Sequence, residues 1–358
     1  MKYLKGQLHL HTSISDGDAT PIQVAQEYKE MGYDFIYFTD HIRNYDVSDI
    51  KEDGILTFPG AEWAAVVKNP YYNSIHSIHV NTLGKYLADW GIFKYWSKEE
   101  MTYYKVPNVE KIEDASEFEQ MFNTSAGDVI NEFVNEAYRL GVIPTINHPV
   151  WHGINWNKTT FDAYDYRELL KVKRPYILEV KNASIGDDSN GCKTLESVEY
   201  VWDVLLSNGK DVFCAFTDDS HEYGKDVRLI VDKNNIPEHL VPRNFHIMVK
   251  ADFNQESIEK SLKNGDFYAS TGVEIEEYTV SDKSIYVKVK DIGKTNNIIF
   301  KGRMGIPLKW VTDNEAEYTF TGSPDEEYVR VKVADSDYKM ALTQPVFQNG
   351  KKIILINK

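Results

Sequence analysis

Up to residue 221 the chain repeats one plan: a short apolar run that stops at a His, Asp or Glu, often followed by a stretch of helical period. Leu8-His9-Leu10-His11 opens the series. Phe35 to Phe38 ends in Thr39-Asp40-His41, Ile55 to Phe58 leads to Gly60-Ala61-Glu62, and Ile78 to Leu83 carries His79. Val142 to Ile146 ends in Asn147-His148-Pro149, Tyr176 to Val180 ends near Asn182, and Val212 to Phe216 ends in Thr217-Asp218-Asp219-Ser220-His221. Between these runs, Val24, Ala25, Tyr28 and Met31 fall at helical spacing behind Thr20-Pro21, with Gly32 as the stop. Val129, Ile130, Phe133, Val134, Ala137 and Leu140 line a second helix closed by Gly141, and Leu195, Val198, Val201, Trp202 and Leu205 a third ended by Gly209. Strands alternating with helices predict a parallel sheet of about seven β-then-helix units, closed as a barrel, with chemistry at the C-terminal strand ends.

The rest of the chain departs from this plan. Residues from about 86 to 127 are aromatic and charged, and too long for a simple loop. They read as a lid or subdomain, or as a packed insertion. From Val273 the texture becomes strand-like alternation separated by turn residues, so residues 273–358 are expected to form a small all-β sandwich behind a first domain of residues 1–272. A helix near Glu256 to Lys263 joins the two. The sandwich pattern can bury its own core, so a chain ending near Thr271 is expected to keep its metal-binding capacity.

The net charge of −15, from 40 basic and 55 acidic residues, argues against long nucleic acid and anionic membranes as partners. A small anionic substrate stays compatible once bound cations reverse the local sign. Cys192 and Cys214 form no CxxC pair and read as reduced structural thiols. No apolar run is long enough to span a bilayer, and His9 follows too soon for a leader, so a cytoplasmic protein is expected. The sequence indicates no oligomeric state.

His9 and His11 are two apart and would project from one face of a strand. The turn-rich run Thr12 to Gly17 can return Asp16 to the same place. Two imidazoles and a carboxylate are ligands for first-row metals. The strand ends extend the candidate series to His9, His11, Asp16, His41, Glu62, His79, His148, Asp219 and His221. Asp16 also reads as a turn carboxylate or helix cap. Asp40 reads as the carboxylate that takes a ligand histidine's other N–H. Asp218 competes with Asp219, which has the better spacing to His221. His76 and His152 read as surface or pocket-lining, and His239 and His246 as structural. Arg43 is placed to meet a substrate phosphate or to form a surface ion pair. Glu179 and Asn182 end a strand, as hydrogen-bond partners of ligands or as substrate contacts.

Taken together, His-Leu-His-Thr-Ser-Ile-Ser-Asp-Gly from His9, Thr-Asp-His at His41, Gly-Ala-Glu at Glu62, a lone His79 before Leu83-Gly84, Asn-His-Pro at His148 and Asp-Ser-His at His221 closely resemble the PHP family. This is the polymerase and histidinol phosphatase superfamily of metal-dependent phosphoesterases. The resemblance covers residues 1 to about 225. It implies a distorted seven-stranded TIM-like (β/α) barrel holding two or three divalent ions of zinc, manganese or iron. His9, His11, Glu62 and Asp219 would hold the first ion. Glu62 would bridge to a second with His79 and His148, and Asp16, His41 and His221 would hold a third. Glu62, Asp219, His221 and Asp40 form the expected catalytic set, with Arg43 and Asn182 near the substrate. The implied reaction is attack of a metal-bridging hydroxide on a small phosphorylated metabolite or nucleotide. Alternatives are hydrolysis of a non-phosphate ester or amide at the same centre, or a non-catalytic binding module. Val150 and Trp151 follow the His-Pro pair where some relatives carry an Arg, which weakens histidinol phosphate as the substrate. The tail resembles PHP proteins with a C-terminal sandwich.

Overall fold

The computed structural model describes residues 2–68, 75–86, 125–149, 166–183, 197–224 and 244–356. Most of the aromatic stretch, together with His152, Cys192 and His239, lies outside the described residues, as does the side chain of His76.

In chain order the first region runs β1 (Lys2–Gln7), α1 (Pro21–Glu30), β2 (Phe35–Phe38), β3 (Leu56–Lys68), β4 (Ile75–Leu83), α2 (Ala126–Leu140), β5 (Ile143–Ile146), β6 (Tyr176–Asn182), α3 (Val198–Ser207) and β7 (Val212–Thr217). Local chemistry sets the helix ends. Pro21 sits at the first turn of α1, and the Gln23 side chain takes the Thr20 N–H at 2.9 Å. Ser125 caps α2, whose buried face is Val129, Ile130, Phe133, Val134 and Ala137, and Gly141 ends it at φ 77°.

The fold is mixed α/β, with one large sheet, few helices and a separate antiparallel sheet. In the large sheet β1 to β7 lie in sequence order. An all-parallel series was expected. The structure differs at β4, which runs antiparallel to both β3 and β5. Residues 69–74 are the only link between β3 and β4, and a parallel pair needs a longer crossover. The two ends of the run meet just beyond β1 and β7. Leu10 bridges Ser220 in parallel, with His11 N–H to Ser220 O at 2.9 Å and Asp219 N–H to His9 O at 3.0 Å.

The other edge of β1 pairs with β8 (His246–Ala251), which leads through α4 (Gln255–Asn264) to β9 (Phe267–Ser270). Then follow β10 (Ile275–Val280), β11 (Ser284–Val289), β12 (Asn296–Lys301), β13 (Pro307–Thr312), β14 (Glu315–Thr319), β15 (Tyr328–Asp335), β16 (Met340–Thr343) and β17 (Val346–Phe347). β16, β15, β12 and β13 extend the large sheet beyond β9, and β10, β11 and β14 form the second sheet. A second core lies between the two layers, built from Ile285, Val287, Phe300, Val331 and Val333 among others.

The C-terminal strands and tail also belong to the first core. Tyr328, Leu342, Phe347, Ile353 and Leu355 pack into it. Arg330 is fully buried and grips Asp203 of α3 through two hydrogen bonds of 2.7 Å. The Gln344 side chain pairs with the backbone of Cys214 on β7, accepting its N–H at 2.9 Å and donating to its O at 2.8 Å. This amide stands in for a neighbouring strand. Gln344→Ala is therefore expected to leave two buried backbone groups unpaired and cost about 2–4 kcal/mol in urea denaturation. A loss below about 0.5 kcal/mol would show that the pairing contributes nothing. Among the described residues no helix is long and apolar enough to cross a membrane.

Candidate metal centre

The strand ends converge on one buried cluster. His9 and His11 follow β1, and their Nε2 atoms lie 3.2 Å apart. Glu62, from within β3, sits between five imidazoles. Its Oε2 is 3.2 Å from His9 Nε2, 3.1 Å from His11 Nε2 and 3.3 Å from His41 Nδ1. Its Oε1 is 2.9 Å from His79 Nδ1 and 3.5 Å from His148 Nε2. Asp219 places Oδ1 3.1 and 3.2 Å from the same His9 and His11 nitrogens, and Oδ2 3.8 Å from His148. Asp16 lies 3.6 Å from His11 Nδ1, from His41 Nε2 and from His221 Nε2.

These atoms fall into four overlapping groups: His9, His11, Glu62 and Asp219; Glu62, His79 and His148; His11, Asp16, His41 and His221; and His9, His148 and Glu179. His11 joins the first and third groups, with Nε2 toward Glu62 and Asp219 and Nδ1 toward Asp16. All nine histidines and carboxylates singled out as metal-ligand candidates come together. His246 stands apart, buried on β8 with Nδ1 2.6 Å from Asn244 O.

Other side chains hold this cluster from behind. Glu179 was placed at a strand end by sequence, without a choice of role. It lies 2.6 Å from His9 Nδ1 and accepts from Thr217 Oγ1, His148 N and Asn182 Nδ2 at 2.9, 2.9 and 3.0 Å. Such a carboxylate fixes the histidine tautomer and turns Nε2 inward. Asn182 also donates to Asp219 Oδ2 at 3.3 Å, so its amide is committed to two carboxylates. Sequence reasoning gave no role to Asn147, which donates to Glu62 Oε1 and to Asn81 Oδ1, both at 2.8 Å. Its place immediately before His148 was the available signal.

Asp40 differs from expectation. It belongs to none of the four groups. It accepts from Thr12 N at 2.7 Å, Ser15 Oγ at 2.9 Å and Tyr45 Oη at 2.7 Å, and so pins the loop that carries Asp16. The expected histidine–carboxylate pair is instead His9–Glu179. Asp218 is engaged by Tyr28 and Tyr33 at 3.3 Å and by Phe245 N at 2.9 Å, and Asp219 is the one that faces the imidazoles. Arg43 follows His41, its N–H bonded to Asp40 O at 3.2 Å.

Asp219 and His148 adopt positive φ, 52° and 21°, as does Ile42 beside His41 at 54°. Each such residue costs about 1–3 kcal/mol and persists only where its surroundings impose it. Electrostatics shows the same demand. Burial pushes His11 down, but hydrogen bonds to Asp219 and Glu62 and the charge of Asp16 raise its pKa to about 10. His9 is likewise raised, its burial outweighed by Asp219, Glu62 and Glu179. Burial dominates at His41, whose pKa falls to about 3, and at His221, which is lowered. Glu62 is held well below the usual range despite its burial, chiefly by His9, His79 and His41. The buried carboxylates thus favour positive charge beside them. His11 Nδ1 is buried with no hydrogen bond among the described residues. This mixed nitrogen and oxygen donor set fits zinc, manganese or iron, whereas calcium takes oxygen ligands.

No family model and no curated protein matches the chain. Solved structures give matches. A two-domain protein from Bacteroides vulgatus containing a predicted PHP-like metal-dependent phosphoesterase aligns over 94% of this chain and 91% of its own, at 16% identity and TM-score 0.39. A candidate metal-dependent phosphoesterase from Bifidobacterium adolescentis aligns over 64% of this chain and 96% of its own, at 14% identity and TM-score 0.40. An amidohydrolase from Chromobacterium violaceum, with sulfate and no metal bound, aligns over 62% of this chain and 89% of its own, at 14% identity and TM-score 0.39.

Proposed function

We propose that the chain is a metal-dependent hydrolase of small phosphoesters, built as a distorted seven-stranded barrel with a C-terminal β-sandwich. One observation carries this reading: a single buried carboxylate, Glu62, lies within 3.5 Å of five imidazoles and joins two donor groups. Nothing in a structural core calls for that arrangement, whereas adjacent cations do. His9, His11, Glu62 and Asp219 would hold one ion, Glu62, His79 and His148 a second, and Asp16, His41 and His221 a third. Divalent ions held there supply Lewis acidity and lower the pKa of water toward neutrality.

The protein's own groups keep the donors in register. Glu179 turns His9 inward, Asn147 holds Glu62, and Asn182 steadies Asp219. His221 directs Nδ1 to the Asp219 carbonyl at 3.0 Å, so its N–H is donated there and Nε2 faces Asp16 as a lone-pair donor. The net acidic surface disfavours long nucleic acid, and a cationic centre in such a surface selects a compact anion. Arg43 is the side chain proposed to meet the phosphate.

Protein purified without chelator is expected to carry at least two transition-metal ions per chain by elemental analysis. Zinc-, manganese- and iron-loaded protein is then assayed on sugar phosphates, nucleotides, histidinol phosphate, cyclic phosphodiesters, single-stranded DNA and carboxyl esters. Phosphate release from small phosphoesters is the expected result. Turnover of carboxyl esters alone moves the reaction to that class, and failure to take up any of the three metals overturns the reading.

A further inference from the structure

None of His11, Asp16, His41 and His221 lies within a named helix or strand. Asp16 lies in the run 12–18 and His221 in the run 218–224. Strand pairing alone does not set their separation. A compact set of bonds between the two runs does. Asp18 N–H donates to His221 O at 2.9 Å, and Tyr223 N–H donates to Asp18 Oδ1 at 3.1 Å. The Tyr223 hydroxyl lies 2.6 Å from His11 O and 2.9 Å from Ser220 O, sharing its one proton between the carbonyls on the two sides of the seam. The fit is tight: a Cβ at Gly17 would stand 2.7 Å from His11 O.

We infer that Tyr223 and Asp18 are positioning residues, a latch that sets His221 against Asp16. The inference rests on the proposed metal centre. Its selectivity follows from connectivity. Glu62, His79 and His148 stand on β3, on β4 and just beyond β5, none of which the latch touches, whereas Asp16 and His221 sit on the two runs it joins and His11 O accepts the Tyr223 hydroxyl. Tyr223 is also a core aromatic, 7% exposed and edge-on to Tyr28. The hydroxyl must therefore be tested apart from the ring.

The experiment uses the full chain, stripped with chelator, reloaded with manganese and titrated against graded chelator, with bound metal counted by elemental analysis. Tyr223→Phe keeps the ring and removes the hydroxyl. It is expected to weaken one equivalent by about 10- to 100-fold, the usual effect of losing a group that supports a ligand. The equivalent held by Glu62, His79 and His148 and the melting temperature of the stripped chain should stay near wild type. Asp18→Ala should act the same way, and Asp18→Asn should restore binding, because its amide oxygen still accepts the Tyr223 N–H. Wild-type uptake in Tyr223→Phe overturns the latch. So does equal weakening of every equivalent together with a fall in melting temperature, the signature of a merely structural role, and so does an Asp18→Asn chain as weak as Asp18→Ala. A wild-type chain that takes up no metal fails the underlying reading as well, and is told apart because no variant is needed to see it.

Discussion

Glu62→Gln, purified without chelator, is expected to retain its fold and lose metal from two of the donor groups. The substitution is isosteric, and the amide oxygen can still accept the Asn147 N–H that now reaches Glu62 Oε1. What disappears is the one negative charge shared by His9, His11, His41, His79 and His148. A terminal ligand serves one ion, whereas Glu62 stands in two groups, so affinity should fall on the order of 100-fold or more in both. Phosphate release should drop by about 10²- to 10³-fold at least. Elemental analysis and initial rates on the best substrate check the two effects separately. Near wild-type rates with full metal content would refute the shared role.

Arg330→Met is expected to cost about 3–5 kcal/mol in urea denaturation, because removing one partner of a buried ion pair strands the other. Arg330 binds Asp203 twice, reaches Glu199 at 2.9 Å and stacks over Trp202 at 4.8 Å. Lys301 and Lys332 complete the cluster at 3.0 and 2.6 Å from Glu199. The double variant Arg330→Met, Asp203→Leu should recover much of the loss, since well-packed apolar replacements of a buried pair are often neutral. The pH dependence has a definite sign. Burial pushes Glu199 up, but Arg330, Lys332 and Lys301 more than reverse this and hold it below its ordinary value of 4.5. A carboxyl depressed in the folded state stabilises fully above its unfolded pKa. That contribution is lost as pH falls below about 4.5 toward the folded value. Wild type should therefore lose more stability than Arg330→Met between pH 6 and pH 3.5. An equal loss would show that the cluster is not what titrates. Because α3 and β15 meet through these charges, a chain ending at Thr271 is expected to lose stability as well as its tail.

The strand-end plan was legible because it is local. A period of two puts His9 and His11 on one face whatever else the chain does, and the apolar runs with their Gly and Pro punctuation mark where strands and helices stop. Thr20-Pro21 and Gly141 act through residues within one turn of themselves, so they are readable without a partner. Local periodicity carries no information about direction at a distance. It does not show that β4 turns back against β3 and β5, nor that β8, β9, β16 and β15 continue one sheet across the boundary at 272/273. Spacing to His221 favours Asp219 over Asp218, but it does not show what occupies the acid left out. Asp218 is held by the tyrosines arriving from α1 and the loop after it and by the Phe245 N–H, partners that come from far along the chain. Asp40 is committed to Thr12, Ser15 and Tyr45, and the carboxylate that orients His9 comes from Glu179, 170 residues along the chain. The sequence alone determined which residue types stand at the strand ends. The tertiary structure decided which of them face one another, because a hydrogen bond at 2.6 Å depends on where two strands lie in space.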